Sequence, residues 1–513
     1  DLYRDGTLFY RKYFFVTDVP GIRRMLWFGG AYMDTTVFVN GTEVGQWKYG
    51  YTSFWFDITD ALHEGQNEVL VRCNLRHPNS RWYSGAGLYR NVELWEAPDL
   101  HLMPDGLYVA AKEGDNGAWT VAVTAEVGSV TAASTGRTLT LHLTDDNGSL
   151  LGTAAIPADA WAALPSPDGW RTGKETAIYK ASHTFTLQDP ALWDLDAPSF
   201  YHITAELTGA DGVTDTLTTR FGCRTIEATP DCGLLVNHKR VLIKGVCIHH
   251  DFGCLGSAFE YSAAKRQLEI LKSMGVNSIR TGHTPPAPQF MDLADEMGIL
   301  MDVESFDCWR SGKNPYDYGR FFDEWQEKDV AAWIRRDRNH PSLLFWCIGN
   351  EIYDTHAGSE GADTMRMLLA EVAAHDPARN GIPTLGSNYM PWENTQHCAD
   401  IIKVAGYNYG ERLYASHHEK HPDWVIYGSE TSSIVQSRGI YHFPLSQSLL
   451  SDDDLQCSSL GNSRTSWGAE SWDICLQSEQ RWPFTLGQYL WTGWDYIGEP
   501  TPYHTRSSYC LLY

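Results

Sequence analysis

Residues 343–354 read LLFWCIGNEIYD. A run this apolar, without polar alternation, is the pattern of a strand buried on both faces. It nonetheless ends on Asn350 and Glu351. Either the strand surfaces there and the acid is solvated, or the acid is delivered to a pocket. The surrounding sequence decides between the two.

Working outward, the chain from about residue 233 alternates strand-like and helix-like segments. RVLIKGVCI (240–248) reads as a buried strand. SAAKRQLEILKSMG (262–275) reads as a helix, with Ser262 as N-cap, apolar Leu268, Leu271 and Met274, and Gly275 as the stop. NSIRTGH, ILMDVES, LLFWCIGNE, IPTLGSN, IKVAGYN, WVIYGSE and GQYLWTGWD supply seven more candidate strands. Eight βα units in roughly 250 residues are the signature of a (β/α)8 TIM barrel, assigned here to 223–513. Only 18 residues follow Asp495, and RSSYCLLY does not read as an amphipathic helix. The barrel is therefore expected to lack its last helix and to be C-terminally incomplete. The apolar flank so exposed, at about 25 cal/mol per Å², would rival a domain's stability margin.

Upstream the rhythm is β. In residues 1–97, VFVNGTEVG (37–45) carries Asn40-Gly41, the strongest local signal for a type I′ hairpin. DITDAL (57–62), EVLVRCNL (68–75) and NVELWEAP (91–98) continue the pattern. Short strands at this spacing predict a sandwich. Because DLYRDGTLFYRKYFFV already opens inside a strand, this domain is expected to be N-terminally incomplete. Residues 98–222 alternate in WTVAVTAEV, RTLTLHLTDDNGSLLG, KASHTFTL and YHITAELTGADG, with hairpin turns at 145–147 and 209–212. They predict a second, immunoglobulin-like β-sandwich, with 156–178 as a long loop within it.

A chain of 513 residues exceeds one ordinary core, which agrees with several domains. Net charge is −24, from 40 basic and 64 acidic residues, which argues against nucleic acid or an anionic membrane as partner. The 20 Trp and 26 Tyr suit carbohydrate recognition and core packing equally well. The 11 Cys are scattered and without CxxC pairs, as expected of reduced thiols in a cytoplasmic protein. No run of 18 apolar residues appears, so no membrane-spanning helix is expected. A signal peptide stays open, because an earlier segment is expected to be missing.

Catalytic groups of a TIM barrel sit at the C-terminal ends of its strands. The eight strands deliver, in order, His249 and Asp251, His283, Glu304, Asn350–Glu351, Asn388, Asn408–Tyr409, Glu430, and Trp491 with Trp494–Asp495. Glu351 and Glu430 stand out. Their separation of 79 residues (430 − 351) equals three repeats of about 26. Two carboxylates across a barrel mouth are what glycoside hydrolysis needs, one to protonate the leaving oxygen and one to attack or support the anomeric centre. A lone strand-end Glu is more often solvated or salt-bridged, and a lone His, Asn or Trp is as readily a core or loop residue. The regularity over eight strands favours a site. His249 and His250 are adjacent on a strand and point to opposite faces, which places them poorly to share one metal ion.

These residues resemble glycoside hydrolase family 2, which includes β-galactosidases, β-glucuronidases and β-mannosidases. GGAYMDTTVFVNGTEVGQWKYGYTSFWFDIT is similar to the family's jelly-roll sugar-binding domain, RWYSGAGLYRNVEL (81–94) to the segment closing it, and VNHKRVLIKGVCIHHDFG (236–253) to the entry into the barrel. GNEI around Glu351, YGSETSS around Glu430 and LWTGWDYIGEP (490–500) are the most specific pieces. The resemblance implies Glu351 as general acid/base and Glu430 as nucleophile of a retaining exo-β-glycosidase. It implies Asn350 on the sugar's 2-hydroxyl, His249, Asp251 and His283 on the glycone, Tyr409 orienting the nucleophile and Trp491 as the aromatic floor. It also implies a β-linked glycoside as substrate, and homo-oligomers are common in the family.

The family's β-glucuronidases carry Asn-x-Lys late in the barrel. Here Asn237-His238-Lys239 lies before the first strand, and the late stretch TPYHTRSSY lacks the motif, although it has Arg506. β-Galactoside is thus the first expectation and β-glucuronide the second. Glu430 is followed by Thr-Ser-Ser, where large bacterial β-galactosidases place a His, so glycone contacts should differ. Two other classes stay open: a truncated, non-catalytic carbohydrate-binding remnant whose barrel does not close, and a metal-dependent hydrolase using His249, Glu304 and Asp307. No cofactor is expected. Some relatives use a divalent ion near the acid/base, which leaves a supporting Mg²⁺ open with no legible ligands.

Overall fold

Asn40 and Gly41 both adopt positive φ, 48° and 82°, the backbone of the type I′ turn their sequence predicts. The computed structural model describes residues 5–17, 20–130, 136–164, 170, 172–209, 212–433, 439–450, 458–465 and 468–497. The turn joins Thr35–Val39 to Thr42–Trp47 in a four-stranded sheet with Gly65–Leu75 and Gly6–Val16. A three-stranded sheet of Phe54–Asp57, Ile22–Phe28 and Val92–Pro98 packs on it through Phe28, Val37, Phe54, Phe56 and Val71. The expected strand at 57–62 is different. Asp57 accepts the Thr59 N–H at 2.9 Å, which turns the chain into a single 3-10 turn over Thr59–Ala61.

The second sandwich pairs two four-stranded sheets. One runs Leu100–Glu113, Ala118–Ser129, Ala177–Gln188 and Ala162–Ala163, the other Leu150–Pro157, Thr138–Asp145, Tyr201–Gly209 and Gly212–Phe221. Period-2 alternation does the sorting: Val121, Val123, Ala125 and Val127 meet Leu139, Leu141, Leu143, Ile203, Ala205 and Leu207 in one core. The expected loop 156–178 contains the end of Leu150–Pro157, a 3-10 turn at Ala158–Ala160 and the short strand Ala162–Ala163. Its residues 165–169 and 171, like 210–211 of the 209–212 turn, lie outside the described residues.

Eight parallel strands then close into a barrel: β1 (Ile243–Ile248), β2 (Ser278–Thr281), β3 (Leu300–Glu304), β4 (Leu343–Asn350), β5 (Ile382–Ser387), β6 (Val404–Asn408), β7 (Val425–Ser432) and β8 (Gly487–Trp491). Every residue of β4 is buried. Phe345 points into the barrel, stacked on Tyr427 at 5.0 Å, while Trp346 packs edge-on against Trp333 of the covering helix Phe322–Asp337 at 5.1 Å. That two-sided burial is why the run shows no alternation. The helix Tyr261–Ser273 starts two residues earlier than its sequence implies, because Glu260, not Ser262, is the N-cap and accepts the Ser262 N–H at 3.3 Å. Gly275 takes φ 91° just past the helix end, as a stop residue should.

β8 pairs with both β7 and β1, so the barrel is closed, unlike the open one considered from the sequence. The expectation of a missing last helix falls on residues 498–513, outside the described residues. None of the described helices is long and apolar enough to cross a membrane. The first sandwich docks on the barrel through Trp47 against Trp325 (5.5 Å), Thr52 Oγ1 donating to Asp329 (2.8 Å) and Arg90 donating to the Pro285 carbonyl (2.9 Å). This docking carries Arg81 and Trp82 to the barrel mouth.

Candidate active site

Four non-glycine residues at barrel strand ends lie in the left-handed region: Glu351 (φ 47°), Tyr409 (55°), Ser432 (71°) and Ser433 (44°). Such backbone costs about 1–3 kcal/mol per residue and gathers where geometry serves function. At Glu351 the turn is fixed by its N–H donating to the Gly386 carbonyl at 2.8 Å. The acid that ends the apolar strand is thereby turned toward a cavity of about 330 Å³ at the barrel mouth, within the usual range of about 300–1,000 Å³ for ligand sites.

The cavity brings together His249, His283, Glu351, Asn388, Tyr409, Glu430 and Trp491. The two carboxylates have different neighbours. Glu430 Oε2 accepts from the Tyr409 hydroxyl at 2.6 Å, and its Oε1 accepts from Arg280 Nη1 at 2.9 Å. Glu351 accepts from Asn408 Nδ2 and from Arg81 Nη1, both at 3.2 Å. Burial and then the Glu351 charge push the Glu430 carboxyl up, opposed by Arg280 and the Tyr409 bond. Burial keeps His249 and His283 neutral, well below the usual imidazole range. The His283 ring is set by Nδ1 against Glu304 Oε2 at 2.7 Å and lies flat on Trp491, 5.1 Å between centroids. His249 lies between Trp82 at 5.2 Å and Tyr496 at 4.2 Å.

Two expected glycone contacts are placed elsewhere. Asn350 is fully buried beneath the cavity; its Oδ1 accepts from Arg280 and Asn408, both at 3.0 Å, and its Nδ2 donates to Asp307 at 3.0 Å. Its Nδ2 also lies 3.3 Å from His283 Nε2, so it braces the floor behind the lining side chains. Asp251 does not line the cavity either, since its carboxylate accepts the Gly253 N–H at 3.0 Å and the Ile497 N–H at 3.3 Å. Trp494 packs on the core, whereas Trp491 walls the cavity.

The expectation missed Arg280, Arg81, Trp82, Ser433 and Tyr496, and it placed Asp307 only in the alternative metal set. Arg280 binds Glu430, Glu304 and Asn350 at once, with no exposure. Its signal was legible: a cation in SIRT, in the middle of a buried strand. Burial alone would raise the Asp307 carboxyl, but Arg81 (2.8 Å) and Lys313 (2.7 Å) outweigh it and hold it well below the usual carboxylate range. Arg81 and Trp82 carried no such signal, because they come from another domain about 270 residues away from Glu351.

The alternative metal set of His249, Glu304 and Asp307 does not converge. Glu304 faces Arg280 and His283, while Asp307 faces Arg81 and Lys313. Among the described residues, the group with ligand-like spacing is Asp292, Asp295 and His340, and Arg220 already pairs with both carboxylates at 3.4 and 3.2 Å. Asn237-His238-Lys239 forms the turn between Gly233–Val236 and Lys239–Val241, before β1, and Arg506 lies outside the described residues.

Comparison with known proteins fits this geometry. Two family models match: "Glycosyl hydrolases family 2, TIM barrel domain" over residues 228–418 and "Glycosyl hydrolases family 2" over 105–224. Glu351 lies within the first match and Glu430 beyond its end. A Bacteroides ovatus protein named beta-galactosidase BoGH2A is 34% identical over 98% of this chain and 62% of its own length. A putative beta-glucuronidase of Formosa agariphila is 33% identical over 68% of this chain and 32% of its own. The crystal structure of a glycosyl hydrolase family 2 member from Bacteroides cellulosilyticus superimposes with a TM-score of 0.81 at 29% identity, covering 96% of this chain and 57% of that one. The chain thus spans less than two thirds of the length of these relatives. On the family models and the relatives together, the chain belongs to glycosyl hydrolase family 2.

Proposed function

We propose that this chain is a retaining exo-β-glycosidase that removes a terminal β-D-galactosyl unit. The observation that carries the reading is the asymmetry of its two cavity carboxylates. Glu430 is held, nearly buried, by one cation and one phenol, a setting that fixes and aims an anionic nucleophile. Glu351 stands at the mouth on a turned backbone, where a leaving oxygen would pass. Glu430 attacks the anomeric carbon while Glu351 gives its proton to the departing oxygen. Water then enters, Glu351 takes its proton, and the glycosyl–Glu430 ester is released with retention. Asn350, Asn408 and Arg280 hold the two carboxylates in place, and His249, His283, Trp82 and Trp491 enclose the sugar. No metal is needed for these steps.

A neutral glycone is supported by the cavity's charge. Arg81 is the cation on its described walls, and that guanidinium already faces Asp307 and Glu351. β-Glucuronidase is the second reading, favoured by relatives bearing that name. Hydrolysis of nitrophenyl β-galactoside, β-glucuronide, β-mannoside and β-glucoside, with Glu430→Gln as control, tests both. Preference for the galactoside, abolished in the variant, is expected. Turnover that survives Glu430→Gln would reject the mechanism.

A further inference from the structure

We propose that Tyr353, His356, Tyr389 and Trp392, beside Glu351 at the barrel mouth, form a leaving-group subsite for a second pyranose ring. The substrate is then a β-linked disaccharide or longer chain, not a small alkyl glycoside. The proposal rests on Glu351 as the proton donor and adds what that proton is delivered to.

The group comes from two loops. Tyr353 follows Glu351 by two residues after β4, and Tyr389 and Trp392 follow Asn388 after β5. The rings pack into one surface: His356 lies 4.1 Å from Tyr389 and 5.5 Å from Trp392, and Tyr353 lies 6.1 Å from Tyr389. Asn394 Nδ2 donates to the His356 carbonyl at 3.2 Å and ties the loops together. Burial and the Glu351 carboxylate push the Tyr389 phenol up to about 12, which puts that phenol within the field of the proposed proton donor.

Exposure is the telling feature. Trp392 is 56% and Tyr353 39% exposed, so large apolar faces stand in solvent on the loops that follow the cavity residues Glu351 and Asn388. The far wall, of Trp82, His249, Trp491 and Tyr496, is enclosed and suits the glycone. A leaving group on the oxygen that Glu351 protonates then extends over the loops that carry these rings, away from the enclosed wall. A pyranose offers an apolar C–H face and a rim of hydroxyls. The exposed indole and phenol faces match the first, and the two phenol hydroxyls with the Asn388 amide match the second.

The test compares lactose with methyl β-D-galactopyranoside, which has no second ring. Trp392→Ala is expected to lower kcat/KM for lactose about tenfold or more and to leave the methyl glycoside within about twofold, with Trp392→Phe restoring most of the loss. Should the nitrophenyl panel select glucuronate, the same comparison uses a β-glucuronyl disaccharide and methyl β-glucuronide. Equal losses on both substrates, or no loss on the disaccharide, overturn the subsite while leaving the catalytic reading intact. Calorimetric binding of the disaccharide to Glu430→Gln, with and without Trp392→Ala, reads the subsite without turnover. Weaker binding in the double variant of a chain that hydrolyses nothing would keep the subsite and reject the catalytic reading. Unchanged or absent binding overturns the subsite.

Discussion

Arg280 and Glu430 meet inside the barrel with Nη1 2.9 Å from Oε1, their side chains 0% and 4% exposed. Burial pushes the neighbouring Glu304 carboxyl, which Arg280 also bonds, up to about 8. The Arg280 charge and the Tyr409 hydrogen bond oppose the rise that burial gives the Glu430 carboxyl. A buried ion pair of this kind gives little net stability, but breaking it strands a charge at about 3–5 kcal/mol.

Arg280→Met should therefore both lower the melting temperature and reduce kcat about 10²-fold or more, since the nucleophile loses its fixed aim. Arg280→Lys should recover folding better than turnover. A lysine is a point charge and does not bond Glu430 and Asn350 together as the guanidinium fork does. Thermal melts and single-turnover rates on both variants check this.

Arg81→Met tests the first sandwich's share in catalysis. The change removes bonds to Glu351 and Asp307, while Lys313 still pairs with Asp307. Hydrogen bonds to charged groups are worth about 1.5–3 kcal/mol, or roughly 10- to 150-fold in kcat/KM where the transition state uses them. A cooperative melt with kcat/KM reduced in that range is expected. Unchanged turnover would make Arg81 a mere domain contact.

Glu304 predicts a pH dependence of stability. Its folded pKa, about 8, lies above the value near 4.3 of an unfolded Glu. Between these limits the folded state binds the extra proton, so stability is full below about pH 4.3 and is lost as pH rises toward 8. Glu304→Gln should remove that loss, about 1.4 kcal/mol per pH unit at most. Urea melts of both proteins at pH 5 and pH 8 should show a smaller difference in the variant.

Prolonged chelation should leave the turnover of the preferred nitrophenyl glycoside unchanged. Among the described residues the cavity offers no converging ligand set, and Asp307 is already neutralised by Arg81 and Lys313. Activity lost with the chelator and restored by Mg²⁺ would contradict this.

The sequence disclosed what depends on local period. The run 343–350 marked β4, the strand-end rule led to Glu351 and Glu430, and Asn40-Gly41 marked its hairpin. It did not disclose what depends on long-range meeting. Arg81 reaches Glu351 only because two domains dock, and Asn350 sits behind the cavity lining because Arg280, Asn408 and Asp307 bond its amide. Asp57 and Glu260 were missed for a local reason: a side chain that bonds nearby backbone N–H groups moves an element's end by one or two residues.

The most direct test of the central claim is the mass of the chain after reaction with an activated 2-deoxy-2-fluoro β-galactoside, which slows breakdown of the glycosyl-enzyme. One glycosyl unit per chain, located by peptide mapping to Glu430 and absent from Glu430→Gln, is the predicted result. A label on Glu351, or turnover of the galactoside with no covalent species and an inverted product, would contradict it.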